Sequence, residues 1–154
     1  MKTLLFLALL ICSATATAHL HEDWATVHRV NAKTHELIHT ASTSSSNRLA
    51  VLTLSCDKTL TMHETRTHSQ TQQVETFWYS VDGEFYKKIP NEKTLNEYST
   101  IRIQSNSDKV VANLEDGRDL RVLVRGLNDG EHSYTFSLRG MNDAYHTLGL
   151  LCKW

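Results

Sequence analysis

Little in this chain breaks or bends it. Its 154 residues hold one proline and six glycines, which excludes a collagen-like repeat and a proline-rich linker between domains. Charge of one sign is missing too. Sixteen lysines and arginines stand against 17 aspartates and glutamates, a formal net charge of −1. With no basic excess to offset phosphates, general nucleic-acid binding finds no support. No acidic or basic tail is present. The sequence also lacks a G-x-S-x-G nucleophile elbow, a Walker-type phosphate loop and a dinucleotide-binding glycine fingerprint. Apolar residues make up 40% of the chain, which argues against wholesale disorder, and the length suits one domain.

The one long apolar run lies at the start. Lys2 supplies a positive charge, residues 4–12 form a short apolar core, and Ala16-Thr17-Ala18 is an A-x-A site. This pattern predicts a secretory signal peptide over residues 1–18, cleaved after Ala18, and the run is too short to span a bilayer. A mature domain of residues 19–154 would start at His19 and carry −2, once Lys2 is lost. No membrane-spanning segment is expected after processing, and the expected location is periplasmic or secreted. Cys12 leaves with the leader, so Cys56 and Cys152 remain. Two cysteines in an oxidising compartment most simply form one disulfide. It would close a loop of about 97 residues and contribute roughly 2–4 kcal/mol.

The mature chain reads mainly as short strands. Residues 49–55, 58–62, 74–81, 84–89, 109–114, 119–124 and 132–138 are β-compatible, and Ile101 and Ile103 alternate with polar neighbours. Asp82-Gly83, residues 115–118 and Asn128-Asp129-Gly130 are turn signals between them. Residues 42–47 and 63–73 read as exposed polar loops. After Gly140, Asn142 is placed to cap a helix over residues 143–151, with Ala144, Leu148 and Leu151 on one face. The expectation is an antiparallel β-sandwich or barrel-like domain with one C-terminal α-helix and one disulfide.

Few residues stand out chemically. His19-Leu20-His21-Glu22-Asp23 gathers two imidazoles, two carboxylates and, after cleavage, an α-amine. Such a donor set suits copper or zinc, with His19 and His21 as ligands; the alternative is a frayed terminus. His35 and His39 read as surface residues. In Phe77-Trp78-Tyr79, one strand face takes Phe77 and Tyr79 and the other Trp78, which serves either the core or a binding surface. Asp82, Asp116 and Asp129 precede glycine and read as turn formers.

The run from Tyr134 to Trp154 carries the pattern F-x-L-x-G-x-x-x-A-x-x-x-L-x-x-x-C-x-W, on Phe136, Leu138, Gly140, Ala144, Leu148, Cys152 and Trp154. It resembles the end of the periplasmic type VI secretion-associated proteins of the VasI/TagO family. Trp24, the strand into Cys56, Val81-Asp82 and the pair Leu120 and Val122 fall in the same order. Similar S-L-x-G-x-x-x-A endings occur in the invasion-associated locus B family, whose additional cysteines this chain lacks. The resemblance implies a small periplasmic protein without known catalysis, serving an envelope assembly. The leading expectation is therefore a non-enzymatic binding or accessory protein with a protein partner in the cell envelope. The alternatives are a secreted copper or zinc protein using His19 and His21, and a secreted inhibitor of a hydrolase.

Overall fold

The computed structural model describes residues 17–65, 74–84, 87–88, 100–104, 114–126 and 130–154. Two antiparallel sheets carry the chain. The larger has six strands: β1 (Thr17–His21), β2 (Trp24–Val30), β3 (Leu37–Ser44), β4 (Ala50–Ser55), β5 (Leu60–Glu64) and β8 (Thr100–Gln104), side by side in that order. The smaller runs β10 (Gly130–Ser137), β9 (Asp119–Gly126), β6 (Val74–Val81) and β7 (Lys87–Lys88). One helix, α1 (Met141–Cys152), follows β10. The β-rich sandwich with a C-terminal helix is the expected architecture.

Alternation places the core. In β4, Ala50, Leu52 and Leu54 are buried while Val51, Thr53 and Ser55 are half-buried. In β10, Tyr134 and Phe136 are buried, and in β9 Leu120, Val122 and Val124. The period of two puts these side chains on facing inner surfaces. Trp24 is fully buried; its indole Nε1 donates to the Ser137 carbonyl at 3.0 Å and so joins the two sheets. A second tie is the Tyr134 hydroxyl, which donates to the buried Glu64 carboxylate at 2.5 Å.

Several expected boundaries move. Residues 42–44 are not loop but the end of β3, and Ser45 pairs with Phe136 in an isolated bridge between the sheets. Thr43 and Ser45 are buried because each hydroxyl is satisfied, by the Asp23 carbonyl and by Asn47 Oδ1. A polar stretch with internal partners can enter a core. Leu114 is helical rather than strand and Glu115 helical rather than turn, while residues 109–113 lie outside the described residues. So do residues 1–16 of the expected signal peptide and 66–73 of the second polar loop.

The helix starts two residues early, at Met141, with Gly140 as its N-cap at φ 80 and no side-chain cap. Asn142 is exposed inside the first turn. Gly140 takes the cap because the backbone of β1 runs against it. A Cβ there would lie 1.9 Å from the His21 carbonyl oxygen, and the left-handed φ itself favours glycine. Met141, Ala144 and Leu148 form the buried stripe of α1, which packs on β1, β2 and β3. Cys152 ends the helix and bonds Cys56, just past β4, with S–S 1.99 Å and Cα–Cα 5.4 Å.

Candidate functional site

The β2–β3 hairpin sets the site's geometry. Asn31 Oδ1 accepts from the backbone N–H groups of Lys33 at 2.9 Å and Thr34 at 3.4 Å, the side-chain-closed turn that Asn favours. Asn31 and Glu36 close the backbone around it. The register that follows sets His28 opposite His39, Thr26 opposite Ala41 and Val30 opposite Leu37. All six share the inner face with buried Trp24. Thr26 and Ala41 are buried, whereas Val30 and Leu37 are 52% and 64% exposed. The histidine pair therefore sits where the core opens to solvent.

A third imidazole joins it from β1. His19 is in register with Thr26 and so lies diagonal to His28 on the same face. Ring centroids are 5.7 Å apart for His19 and His28, and 5.0 Å for His28 and His39. The Nδ1 atoms of His28 and His39 are 2.7 Å apart, a hydrogen bond in which one ring donates and the other accepts. Burial first, then the charge on His39 and on His19, pushes the His28 pKa below the ordinary imidazole value. Among the described residues, no three histidine, cysteine, aspartate or glutamate side chains are already gathered into a metal-holding group.

His19 and His21, paired in the sequence reading, share the inner face of β1 but differ in surroundings. His19 is exposed and its ring meets His28. His21 is opposite Trp24 and has a buried Nε2 with no hydrogen-bond partner. In this structure Thr17–His21 is a paired strand at the end of the larger sheet. His28 and His39 were missed as a site because they are 11 residues apart in sequence. The signal that locates them is the Asn31 turn, whose closure fixes which residues face each other.

The remaining candidates have structural surroundings. Trp78 is half-buried, on the face of β6 opposite buried Tyr79, with the Arg125 guanidinium 5.6 Å from its ring centroid. The side chain of Phe77 lies outside the described residues. Phe136, Leu138, Ala144 and Leu148 are core residues. Trp154 stands beside the disulfide: its Nε1 donates to the Cys56 carbonyl at 2.6 Å, and Tyr145 and Lys58 approach its ring. Asp82 is a turn former, as read, and its Oδ1 also accepts from the N–H groups of Arg118 and Asp119, both at 2.8 Å.

Two open polar clefts meet at Asp119 and Thr135. One reaches toward Asp23, Ser45 and Arg48, the other toward Asp82, Arg118 and Arg121. Serine and threonine hydroxyls with charges of both signs suit polar contacts more than an apolar ligand. Among the described residues no helix is long and apolar enough to cross a membrane.

No protein-family model matches the chain. No curated protein matches its sequence. Among solved structures it is similar to the crystal structure of invasion associated protein B from Bartonella henselae, with a TM-score of 0.59 and 15% identity over 90% of this chain and 99% of that one. At that identity the likeness speaks for the fold alone. It falls on the second of the two resemblances carried by the C-terminal pattern; nothing in these comparisons supports the likeness to VasI/TagO.

Proposed function

We propose that this chain is a secreted or periplasmic accessory protein of the bacterial cell envelope that works by binding a protein partner, with no catalysis of its own. The observation that carries the reading is a disulfide-pinned sandwich sharing its fold with a protein named for invasion. A disulfide of this kind belongs in an oxidising compartment, which agrees with the leader-like residues 1–18. The clefts that meet at Asp119 offer the polar surface for a partner. A tie to type VI secretion is the finer form of the proposal and rests on the C-terminal pattern alone.

The test is in-cell cross-linking followed by immunoprecipitation from fractionated cells. The expected result is a chain that begins at His19, has no free thiol, and is joined to one envelope protein. A chain retained in the cytoplasm with both thiols free overturns the proposal. Recovery of a lysozyme-like hydrolase, inhibited on binding, replaces it with the inhibitor reading.

A further inference from the structure

The partner reading makes no use of His19, His28 and His39, and nothing in the packing needs three imidazoles at the rim of the core. A side chain there has only to cover the buried Thr26–Ala41 layer, which a valine does without polar atoms to satisfy. Their chemistry points elsewhere. Imidazole nitrogen is a ligand for copper, zinc and nickel, and the sheet register holds His28 and His39 directly opposite one another.

The contact distance is close to the nitrogen separation of one coordination geometry. With a metal–nitrogen bond of about 2.0 Å, two nitrogens at neighbouring corners of a square plane lie about 2.8 Å apart, whereas a tetrahedral ion spreads them to about 3.3 Å. The His28 and His39 Nδ1 atoms are 2.7 Å apart. A square-planar ion fits with a rotation of the rings and almost no change of separation. The ion would replace the proton that the two nitrogens share; the ring that carried it becomes its Nε2–H tautomer, so both histidines bind as neutral imidazoles with no net loss of a proton. His19, exposed on the edge strand and already in ring contact with His28, can turn its side chain to bring a third nitrogen. Water fills the remaining position. The arrangement is an open clamp, completed by the ion, rather than a finished cage.

We propose that His28 and His39, with His19 as third ligand, form a copper(II)-binding site on the inner face of the β1–β3 sheet. This is independent of whether the protein has an envelope partner.

The experiment uses the full secreted protein, stripped with chelator and titrated with copper(II) sulfate. Electron paramagnetic resonance should show one axial copper site, and its pulsed form at least two coordinated imidazoles. His28→Asn and His39→Asn should each weaken binding tenfold or more. His35→Asn, at an exposed turn position, should leave it unchanged. Circular dichroism of each variant separates lost ligation from lost folding. Should the variants fail to fold, the imidazole count is taken on the His21→Asn protein, where the N-terminal pair can supply only one. Zero or one coordinated imidazole overturns the proposal. So does binding that survives both substitutions but is abolished by His21→Asn, because the N-terminal segment would then be the site.

Discussion

Asp82 and Tyr134 each do more than their positions in the sequence suggest. Asp82 is in the left-handed region at φ 52, followed by Gly83 at φ 78, the two positive values that a tight hairpin turn demands. The N–H groups of Asp119 and then Arg118 hold its carboxyl below the usual carboxylate range, the Arg118 charge adds to this, and burial opposes it. A carboxyl with a lower pKa folded than unfolded contributes stability above its unfolded value, about 3.9, and loses it as pH falls through the folded value. Asp82→Asn keeps the turn and the acceptor but not the charge. The variant should melt somewhat below wild type at pH 7, with the gap closing below about pH 3.9; a gap that stays constant with pH contradicts the assignment. Tyr134→Phe removes the donor facing the Glu64 carboxylate and should cost about 1–3 kcal/mol in denaturant unfolding. Glu64→Gln retains an acceptor and should cost less. The turn role of Asp82 was legible from Asp-Gly, whereas its reach to Arg118 was not, because that contact spans 36 residues.

Elements were legible where the local signal was strong. β6 has the bounds that its aromatic and β-branched run predicts, and the Asp82-Gly83 turn ends it. The N-terminus of α1 was misplaced because a good capping residue, Asn142, lies close by, yet the tertiary fit of Gly140 against His21 decides the start. A sequence signal cannot report that fit, since β1 was not itself predicted as a strand. Its five residues, Thr17–His21, contain two histidines and one apolar side chain of size, Leu20, which is exposed. Pairing with β2, not patterning, makes β1 a strand. Gly140→Ala adds a Cβ 1.9 Å from the His21 carbonyl oxygen at a left-handed φ. The helix must move or β1 must leave the sheet, at a cost of at least about 3 kcal/mol. Thermal melts check the stability, and hydrogen exchange should show lost protection in β1 and the first turn of α1. An alanine variant with wild-type stability would mean that β1 does not pack on Gly140.

The whole molecule is held by ties between distant parts of the chain, and these follow different rules of legibility. The Cys56–Cys152 bridge was readable by counting, because one cysteine belongs to the expected leader and two remain. The Trp24–Ser137 and Ser45–Phe136 ties were not, since they depend on how one sheet lies over the other. The same holds for the histidine ladder: each hairpin is local, but three strands must stack before His19, His28 and His39 meet. The bridge joins residues 96 apart, with most of the sandwich between them. In the chain-entropy account its stabilisation comes from restricting the unfolded state, and a loop of about 100 residues predicts up to about 4.7 kcal/mol, with 2–5 kcal/mol as the usual measured cost of removal. Replacing both cysteines by serine should therefore lower the unfolding free energy by about 2–5 kcal/mol. A strain effect in the folded state would leave the denaturant slope alone. Release of the unfolded chain exposes more surface, so the slope of unfolding free energy against urea should rise in the variant. Reduction of the wild-type protein should reproduce both changes. If the midpoint falls while the slope is unchanged, the bridge acts on the packing of α1 against β3 and not on the unfolded chain.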